Sequence, residues 1–538
     1  MILRNSMAIL ILMTAACKNQ EVKIPAIIPK PNQIQMLKGR FDFKKYRSIC
    51  YNQSELKESA QLLRILLEDH GLDYELAENH NLKKRNRGIY LMLADDGALN
   101  ENTHQINIYK KRIEIKASDT GDLKYGIQTI NQMAFFSKEN DFIIPCMEIV
   151  DKPEFRYRGM HLDVSRHFMP VEFIKKYIDY LSLFKFNYFH WHLVDDQGWR
   201  IEIKKYPRLT EIGSFRKETL VGHASARPPR YDGIPYGRFY TQDEIKEIVH
   251  YASFRNVTII PEIEIPGHSQ AAIASYPFLG CTDDTVEVMT KWGISPYIYN
   301  LEDTTFKFLF TVLDEVADLF PGKYIHIGGD EAIKDQWQAS RRINNQMKAL
   351  GIEDYEDLQS YFINRIADHL AEKGKQIIGW DEIIEGDIRS DAIVMCWRSW
   401  LDENVALRAA KKGHQVILTP NSHYYFDHYQ SPDKENEPLA FGGLVSLDSV
   451  YMYDPVPLGF DTIYRDKILG AQANVWTEYM HTPEQVEYMI FPRMLALSEV
   501  LWTNKDHRNH SEFLIRLKQF ESYFKNFQTS YARHCFRR

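Results

Sequence analysis

The repeated order of a short apolar strand, a loop and an amphipathic helix between residues 153 and 502 constrains the fold of this chain most. Short apolar runs indicate buried strands, and longer stretches with apolar residues at helical spacing indicate helices. The predicted strands are 157–164, 187–194, 257–263, 324–327, 376–380, 392–397, 415–419 and 470–475. The predicted helices are 170–184, 241–255, 304–320, 355–373, 403–412 and, after the last strand, 483–501. Eight strands that alternate with helices over about 350 residues predict a (β/α)8 TIM barrel of the α/β class.

A doubly wound open sheet would give the same alternation of strands and helices. That fold often carries a glycine-rich phosphate loop, and the sequence contains neither a GxGxxG nor a Walker-type loop. The barrel is therefore the prediction, and its active site is expected at the carboxyl ends of the strands.

The pattern of apolar residues before the barrel predicts a small α+β domain, and this region contains no cluster of residues typical of a catalytic site. Residues 54–70 and 119–136 have apolar positions at helical spacing, whereas 88–94 and 112–117 have the pattern of strands. The predicted organisation is a signal segment at 1–17, a tether at 18–31, the α+β domain at 32–150, the barrel at 153–502 and a helical tail at 503–538.

The first residues have the pattern of an export signal. Arg4 supplies a positive charge, an apolar run follows, and Ala15 and Ala16 precede Cys17. The stretch from Leu12 to Cys17 resembles a bacterial lipobox, in which the cysteine is acylated and becomes the first mature residue. A plain secretory signal with a chance cysteine is the alternative. The lipobox implies a lipid anchor in the bacterial envelope. Lys18 and Asn19, which follow Cys17, do not resemble an inner-membrane retention signal, so the outer membrane is favoured over the periplasmic face of the inner membrane.

Composition and the other cysteines narrow the function class. The 538 residues are 44% hydrophobic with a net charge of −7, and no Lys/Arg-rich run suggests a nucleic-acid surface. Five further cysteines are scattered without CxxC spacing: Cys50, Cys146, Cys281, Cys396 and Cys535. An odd number of scattered cysteines is typical of neither a zinc site nor a disulfide framework, although the sequence does not exclude a single disulfide bond. No metal or cofactor is expected, and the sequence does not predict the number of subunits.

The segment from His326 to Glu331 joins an apolar strand to two glycines and two adjacent carboxylates, Asp330 and Glu331. Neighbouring carboxylates oppose each other's ionisation, so one can stay protonated near neutral pH and act as a general acid. Taken alone, the same two residues would also fit a pair of acids that caps the next helix.

Polar and aromatic residues recur near the ends of all eight predicted strands. In strand order they are Arg158 and Asp163; Asp195 and Asp196; Glu262, Glu264 and His268; Asp330 and Glu331; Trp380, Asp381 and Glu382; Trp397; Tyr425 and Asp427; and Trp476 and Glu478. Carboxylates and an arginine suit hydrogen bonds to sugar hydroxyls, and aromatic rings suit the apolar face of a sugar. The set therefore indicates a carbohydrate site.

Several motifs resemble those of the β-N-acetylhexosaminidases of glycoside hydrolase family 20. They are 158-RGMHLD-163, 190-HWHLVDDQGWR-200, 261-PEIEIPGH-268, 326-HIGGDE-331 and 379-GW-380. The resemblance covers residues 34–501 and includes the small domain before the barrel. It implies exo-acting hydrolysis of terminal N-acetylglucosamine, and of N-acetylgalactosamine as a second substrate, from glycans or chitooligosaccharides.

The resemblance also implies a substrate-assisted retaining mechanism, which is an exception to the usual two-carboxylate scheme. Glu331 would protonate the leaving oxygen, Asp330 would accept a hydrogen bond from the acetamido N–H, and Tyr425 would donate to the acetamido oxygen. The other implied substrate-binding residues are Trp380, Trp397 and Trp476 around the sugar, Arg158 and Glu478 at its distal hydroxyls, and Asp195, His268 and Asp427 in support. Asp195, His268 and Trp397 could instead be ordinary core residues.

Two alternatives to this function remain open from the sequence. His190 and His192 on one face of a strand, with Asp195 nearby, could bind zinc in a metallohydrolase. A catalytically silent carbohydrate-binding protein could use the same barrel, although Asp330, Glu331 and Tyr425 argue against it.

Overall fold

Two α/β units form the fold, a small sheet domain and a barrel. A computed structural model of the chain describes residues 25–78, 87–95, 99–282, 284–401, 404–456, 460 and 462–537. The signal segment and Cys17 lie outside the described residues. Within the described residues, no helix has the length and apolar character needed to cross a membrane.

The sheet domain contains seven strands and two helices among its described residues. Its elements are β1 (Gln33–Asp42), β2 (Ser48–Tyr51), α1 (Lys57–Glu68), β3 (Glu75–Glu78), β4 (Gly88–Leu93), β5 (His104–Ile108), β6 (Arg112–Ala117), α2 (Thr120–Ser137) and β7 (Ile143–Asp151). The sheet order is β1-β7-β5-β6-β4-β2-β3. Alternate residues of β6 are buried, because one face of the sheet packs against the helices.

The second unit follows in a strand–helix order with inserted short elements. These are β8 (Tyr157–Asp163), α3 (Val171–Leu183), β9 (Tyr188–His192), β10 (Val194–Asp195), β11 (Gly198–Trp199), α4 (Arg208–Glu211), β12 (Phe215–Arg216), β13 (Leu220–Val221), β14 (Arg230–Tyr231), β15 (Tyr236–Gly237), α5 (Gln242–Phe254), β16 (Thr258–Glu262), α6 (Gln270–Ser275), α7 (Asp303–Leu319), β17 (Tyr324–His326), α8 (Asp335–Ala339), α9 (Arg341–Leu350), α10 (Tyr355–Glu372), β18 (Gln376–Trp380), β19 (Ile393–Cys396), α11 (Val405–Lys411), β20 (Val416–Leu418), α12 (Asn421–Tyr424), α13 (Leu447–Met452), α14 (Thr462–Arg465), β21 (Ile468–Ala473), α15 (Pro483–Ile490), α16 (Arg493–Trp502) and α17 (His510–Asn526).

Eight parallel strands in the described chain close the barrel in the order β8-β9-β16-β17-β18-β19-β20-β21. The closing pair is β21 with β8, in which Ala471 lies opposite Arg158. All eight predicted barrel strands are confirmed, and each observed end lies within two residues of its prediction. The open-sheet alternative is wrong because the first and last strands pair.

The predicted helix 483–501 is in fact two helices. α15 ends at Ile490 and α16 begins at Arg493, with Pro492 between them. Proline has no N–H to donate to the preceding turn and its ring clashes with that turn, so a helix cannot continue through it without distortion.

The predicted tether is wrong in its last part. Residues 25–31 pack into the fold, where Ala26, Ile27 and Ile28 are buried. The backbone N–H of Ile28 donates to Gln132 Oε1 at 2.9 Å, and Gln132 Nε2 donates to the Ile28 carbonyl at 2.7 Å. Apolar side chains and these paired polar groups make the segment part of the folded body. Residues 18–24 of the predicted tether lie outside the described residues.

A buried ion pair lies where the two units meet. Lys185 Nζ is 3.0 Å from Asp151 Oδ2, and both side chains are fully buried. Trp502 Nε1 donates to the same carboxylate at 2.9 Å. Asp151 belongs to β7, Lys185 precedes β9 and Trp502 ends α16. This cluster therefore fixes the sheet domain against the end of the barrel at which the strands begin.

Candidate active site

A cavity of about 290 Å³ lies at the carboxyl ends of the barrel strands. Its lining residues are Arg166, Asp195, His268, Asp330, Glu331, Trp380, Trp397, Trp400, Asn421, Tyr425, Asp427, His428, Phe441, Trp476 and Glu478. The structure thus brings together every predicted catalytic and substrate-binding residue except Arg158. A larger cavity, of about 870 Å³, lies between residues 431–437 and 524–537 and contains none of the predicted residues.

Two glycines shape the turn that carries the adjacent carboxylates. Gly328 and Gly329, just after β17, have φ angles of +67° and +97°, which residues with a Cβ rarely adopt. A Cβ on Gly328 would lie 1.8 Å from Glu264 Oε2. Glu331 also has a positive φ, +46°. Backbone strain of this kind concentrates at functional sites, and here the packing around the turn maintains it.

Asp330 is the more buried of the two carboxylates. Its Oδ1 has no hydrogen-bond partner among the described residues. Burial, together with the negative charge of Glu331, raises the pKa of Asp330 to about 7, although His268 acts in the opposite direction. Asp330 therefore offers a free acceptor atom to a ligand that brings its own N–H donor.

His268 links the two adjacent carboxylates, Asp330 and Glu331, to a second acidic pair. Its Nδ1 lies 3.1 Å from both Asp195 Oδ1 and Asp196 Oδ2, and its Nε2 lies 3.7 Å from Asp330 Oδ2 and 3.5 Å from Glu331 Oε2. Burial opposes the charged form, but Asp195 and the other acids raise the pKa of His268 well above its usual range. An imidazolium at this point stabilises negative charge on the Asp330–Glu331 pair.

The prediction for Arg158 is wrong, and Arg166 is the arginine of the cavity. Arg158 is the second residue of β8, so it lies at the opposite end of the strand from the cavity. Its guanidinium donates to the carbonyls of Lys185 and Phe155 and packs on the Trp502 ring. Arg166 follows the carboxyl end of the same strand and lies 2.7 Å from Asp195 Oδ2.

Arg166, Asp427 and Glu478 form a charged part of the cavity lining. Arg166 NH1 lies 3.9 Å from Glu478 Oε1. Glu478 Oε2 and Asp427 Oδ1 have no hydrogen-bond partner among the described residues. Burial, with the neighbouring charge of Glu478, raises the pKa of Asp427 well above its usual range. A charged donor beside two unpartnered acceptors suits the paired hydroxyls of one sugar ring.

Aromatic rings form the sides of the cavity. Trp380 Nε1 donates to Glu262 Oε1 at 2.9 Å, and the Trp380 and Trp476 ring centres are 5.9 Å apart. Trp397 lies nearly parallel to Tyr425, with ring centres 6.0 Å apart. Burial, with the charge of Asp427, raises the pKa of Tyr425 well above its usual range, so its hydroxyl stays a donor.

The histidines of the zinc alternative, His190 and His192, are paired with buried carboxylates. One ring nitrogen of His192 contacts Glu262 and the other lies 2.9 Å from Asp195 Oδ2. Burial lowers the pKa of an imidazole, but these carboxylates raise the pKa of His192 to about 10. Both ring nitrogens of His192 are therefore already engaged by carboxylates. His190 Nε2, for its part, lies 3.0 Å from Glu262 Oε2.

Five residues of the cavity were missed by the sequence reasoning, namely Arg166, Trp400, Asn421, His428 and Phe441. For Arg166 a signal existed, because it lies three residues beyond the strand end at Asp163. Trp400 and Phe441 lie in loops, each with 55% of its surface exposed, and strand periodicity carries no information on where such loops fold.

Comparison with known families assigns both units of the chain. Residues 155–505 match the family described as "Glycosyl hydrolase family 20, catalytic domain", and residues 24–152 match "Glycosyl hydrolase family 20, domain 2". The chain belongs to glycoside hydrolase family 20. It is therefore a glycoside hydrolase, and the resemblance of its motifs to this family is confirmed.

Several bacterial proteins are similar to this chain over most of its length. A β-hexosaminidase of Porphyromonas gingivalis is 41% identical over 95% of this chain, which spans 65% of that protein's length. A β-hexosaminidase of Vibrio furnissii is 35% identical, with 88% of this chain and 76% of that protein covered. The family 20 exo-β-N-acetylglucosaminidase of Vibrio harveyi, solved with N-acetylglucosamine, superposes with a TM-score of 0.82 at 32% identity, covering 95% and 79% of the two chains.

The turn geometry predicts that Gly328→Ala will inactivate the enzyme without unfolding it. The added Cβ overlaps the Glu264 carboxyl, so the turn must move and displace Asp330 and Glu331. We expect kcat/KM to fall by about 100-fold or more, as for a shift of catalytic groups by roughly 1 Å. Aryl glycosidase assays and circular dichroism measure the two effects.

Gly351→Ala is the matched control for this substitution. Gly351 has a similar φ of +71°, but a Cβ there would meet nothing within 4 Å. The control carries the same backbone strain and should retain wild-type activity. If Gly328→Ala stayed within about tenfold of this control, the proposed dependence of the site on the turn would be refuted.

Proposed function

We propose that this chain is an exo-acting β-N-acetylhexosaminidase that releases terminal, non-reducing N-acetylhexosamine by a substrate-assisted retaining mechanism. The observation that carries the proposal is the presence of Asp330 and Glu331 on one turn of a single cavity, with Tyr425 in the same lining. A protein nucleophile and an acid would need to lie about 5 Å apart on either side of the scissile bond. Adjacent residues suit a reaction in which the substrate supplies the nucleophile.

The chemistry then divides into two steps. In the first, the 2-acetamido oxygen attacks the anomeric carbon, the glycosidic C–O bond breaks, and Glu331 transfers its proton to the departing oxygen. An oxazolinium ion results. In the second step, water adds to the anomeric carbon, Glu331 accepts a proton from that water, and the acetamido group is restored with retention of configuration.

Asp330 and Tyr425 orient the internal nucleophile from two sides. The unpartnered Asp330 Oδ1 accepts a hydrogen bond from the acetamido N–H, and the ionised carboxylate stabilises the developing oxazolinium charge. The Tyr425 hydroxyl donates to the acetamido oxygen, which holds that atom below the anomeric carbon. His268 favours the ionised state of Asp330 through its positive charge.

The charged part of the cavity lining supports exo action. In this proposal the terminal sugar places its free hydroxyls against Arg166, Asp427 and Glu478, so that no further sugar can follow at that end. A cavity of about 290 Å³ accommodates one sugar ring, and its polar end suits the free hydroxyls of a terminal residue. Glycans and chitooligosaccharides that end in N-acetylglucosamine or N-acetylgalactosamine are the proposed substrates.

An aryl glycoside assay tests the proposal. The purified protein should release nitrophenol from 4-nitrophenyl N-acetyl-β-D-glucosaminide and leave the corresponding glucoside, which has no acetamido group, essentially uncleaved. Glu331→Gln should lose most activity toward poor leaving groups and less toward activated aryl groups, which depart without a proton. Asp330→Asn should be impaired with both kinds.

Two results would count against this assignment. Binding of sugar without any release of nitrophenol would favour the carbohydrate-binding alternative. Equal losses in Glu331→Gln for good and poor leaving groups would show that Glu331 is not the general acid.

The pKa of Asp330 predicts an acid limb in the pH profile. The reaction needs the ionised carboxylate, and a pKa raised to about 7 means that the ionised fraction falls as pH decreases through neutrality. We therefore expect kcat/KM for an activated aryl substrate to decrease on the acid side of about pH 7, since this parameter reports groups of the free enzyme. Asp330→Asn should have no such limb, and a limb that persists unchanged in this variant would contradict the prediction.

We further propose that the protein is exported and anchored to the bacterial envelope through a lipid on Cys17. The lipobox-like stretch from Leu12 to Cys17 supports this. Mass spectrometry of the mature N-terminus should find an acylated Cys17, and Cys17→Ala should move the protein from the membrane fraction to the aqueous fraction. An unmodified Cys17 in a processed, secreted protein would favour the plain signal peptide.

A further inference from the structure

A cleft of about 870 Å³ lies outside the catalytic cavity and plays no part in the proposed mechanism. Its walls come from residues 431–437, from α15 and α17, and from residues 528–537, which follow α17. We call it the tail cleft. If the catalytic cavity of about 290 Å³ holds one sugar ring, the tail cleft has room for about two or three.

Glu437 is the buried carboxylate of the tail cleft. Its side chain has only 2% of its surface exposed. Glu437 Oε1 accepts a hydrogen bond from the Tyr488 hydroxyl at 3.1 Å and lies 3.2 Å from His534 Nδ1. Glu437 Oε2 has no hydrogen-bond partner among the described residues. Because buried polar atoms are nearly always partnered, this oxygen suits a ligand that brings an O–H or N–H donor.

Donors and aromatic rings accompany this carboxylate in the lining. Arg533 and Arg537 are exposed, and the Arg533 guanidinium lies 5.9 Å from the centre of the Tyr531 ring. The Tyr531 ring is held in place, because it stacks on Phe524 with ring centres 5.1 Å apart and its hydroxyl donates to Glu521 Oε1 at 3.0 Å. The tail cleft thus offers hydrogen-bond acceptors, hydrogen-bond donors and aromatic surface together.

The catalytic cavity contains the same combination of groups. There, Arg166 lies beside Asp427 and Glu478, each with one unpartnered oxygen, and tryptophan rings form the sides. Such a set suits the hydroxyls and the apolar face of a sugar. In the tail cleft, an anionic ligand would meet the carboxylates of Asp433 and Glu437, and a cationic ligand would meet two arginines. A neutral glycan, which has donors and acceptors on every ring, matches both kinds of group.

We propose that the tail cleft is a second, non-catalytic carbohydrate site, which binds a short segment of a neutral glycan. Glu437 Oε2 accepts a hydrogen bond from a sugar hydroxyl or an acetamido N–H, and Arg533 and Arg537 donate to sugar oxygens. The site retains the glycan at the surface of the enzyme between cleavage events. This inference goes beyond the proposed function, because binding in the tail cleft requires neither Asp330 nor Glu331.

One loop connects the tail cleft to the catalytic cavity. Asp427 and His428 line the catalytic cavity, and residues 431–437 line the tail cleft. Buried Arg493 fixes the start of this loop, because its guanidinium donates to the carbonyls of Phe426 at 2.6 Å and His428 at 3.1 Å. Substitutions in the tail cleft should therefore leave the catalytic cavity, and the cleavage of a small aryl glycoside, unchanged.

A titration with the catalytic cavity blocked tests the proposal. The purified protein is first saturated with the thiazoline derived from N-acetylglucosamine, which mimics the oxazolinium ion and cannot be turned over. Isothermal titration calorimetry then measures the binding of tri-N-acetylchitotriose, a neutral glycan of three rings. We expect one residual binding site per chain.

Two pairs of variants locate this residual site. Glu437→Gln removes the charged acceptor and should raise Kd for the trisaccharide by about tenfold, whereas Glu435→Gln, at an exposed position of the same loop outside the cleft, should not change it. Arg533→Gln should raise Kd by about threefold or more, whereas Lys518→Gln, at an exposed position of α17 outside the cleft, should not. All four variants should keep the wild-type kcat/KM for the 4-nitrophenyl substrate.

The outcomes separate this inference from the proposed function. The inference is overturned if the blocked protein binds no trisaccharide, or if Glu437→Gln and Glu435→Gln give the same Kd. Binding that inorganic phosphate displaces, and that only Arg533→Gln weakens, would identify an anion site and would also overturn it. If Glu437→Gln fails to fold, an unchanged Kd in Arg533→Gln has the same meaning. Failure of the thiazoline to bind would count against the proposed function, and the paired variants would still decide on the tail cleft.

Discussion

One buried carboxylate, Glu262, organises the catalytic end of the barrel. It ends β16 and contacts the imidazoles of His190, His192 and His326 and the indole N–H of Trp380. These partners come from β9, β17 and β18, so a single side chain connects four strands at the level of the site. Burial opposes the ionised form, but the surrounding histidines lower the pKa of Glu262 well below its usual range. The negative charge in turn keeps His192 protonated.

An alternation of negative and positive side chains continues from Glu262 outward to the cavity. Protonated His192 contacts Asp195, Asp195 contacts both Arg166 and His268, and His268 lies against Asp330 and Glu331. Opposite charges alternate along this path from the barrel interior to the cavity. Removing one partner of a buried ion pair strongly destabilises a fold, which explains why so many ionisable groups remain together in this buried site. The carboxylates that face the cavity are thus held in place partly by residues of the barrel interior, such as Glu262 and His192, that do not line it.

Much of the fold and most of the site could be predicted because both follow local patterns. A barrel strand buried on both faces has a continuous apolar run, and its carboxyl end is marked by the first polar residues after that run. Ten site residues were located in this way or through the family resemblance. Arg158 was wrongly assigned to the site, because it lies near the amino end of β8 and the site lies at the carboxyl ends of the strands. Arg166 lies beyond the carboxyl end of β8. The strands β1, β2, β3, β5 and β7 were not recognised. For β1 and β3 the reason is physical, because they are the partly exposed edge strands of a mixed sheet and have only a weak pattern.

The burial of residues 25–31 has a geometric consequence for a membrane-bound form of this enzyme. If Cys17 bears the anchor, only residues 18–24 connect the lipid to a body that begins at Pro25. Eight peptide steps span about 29 Å when fully extended. The folded body of the enzyme would then stay within a few nanometres of the bilayer. Glycans would have to diffuse to the membrane surface to be cleaved.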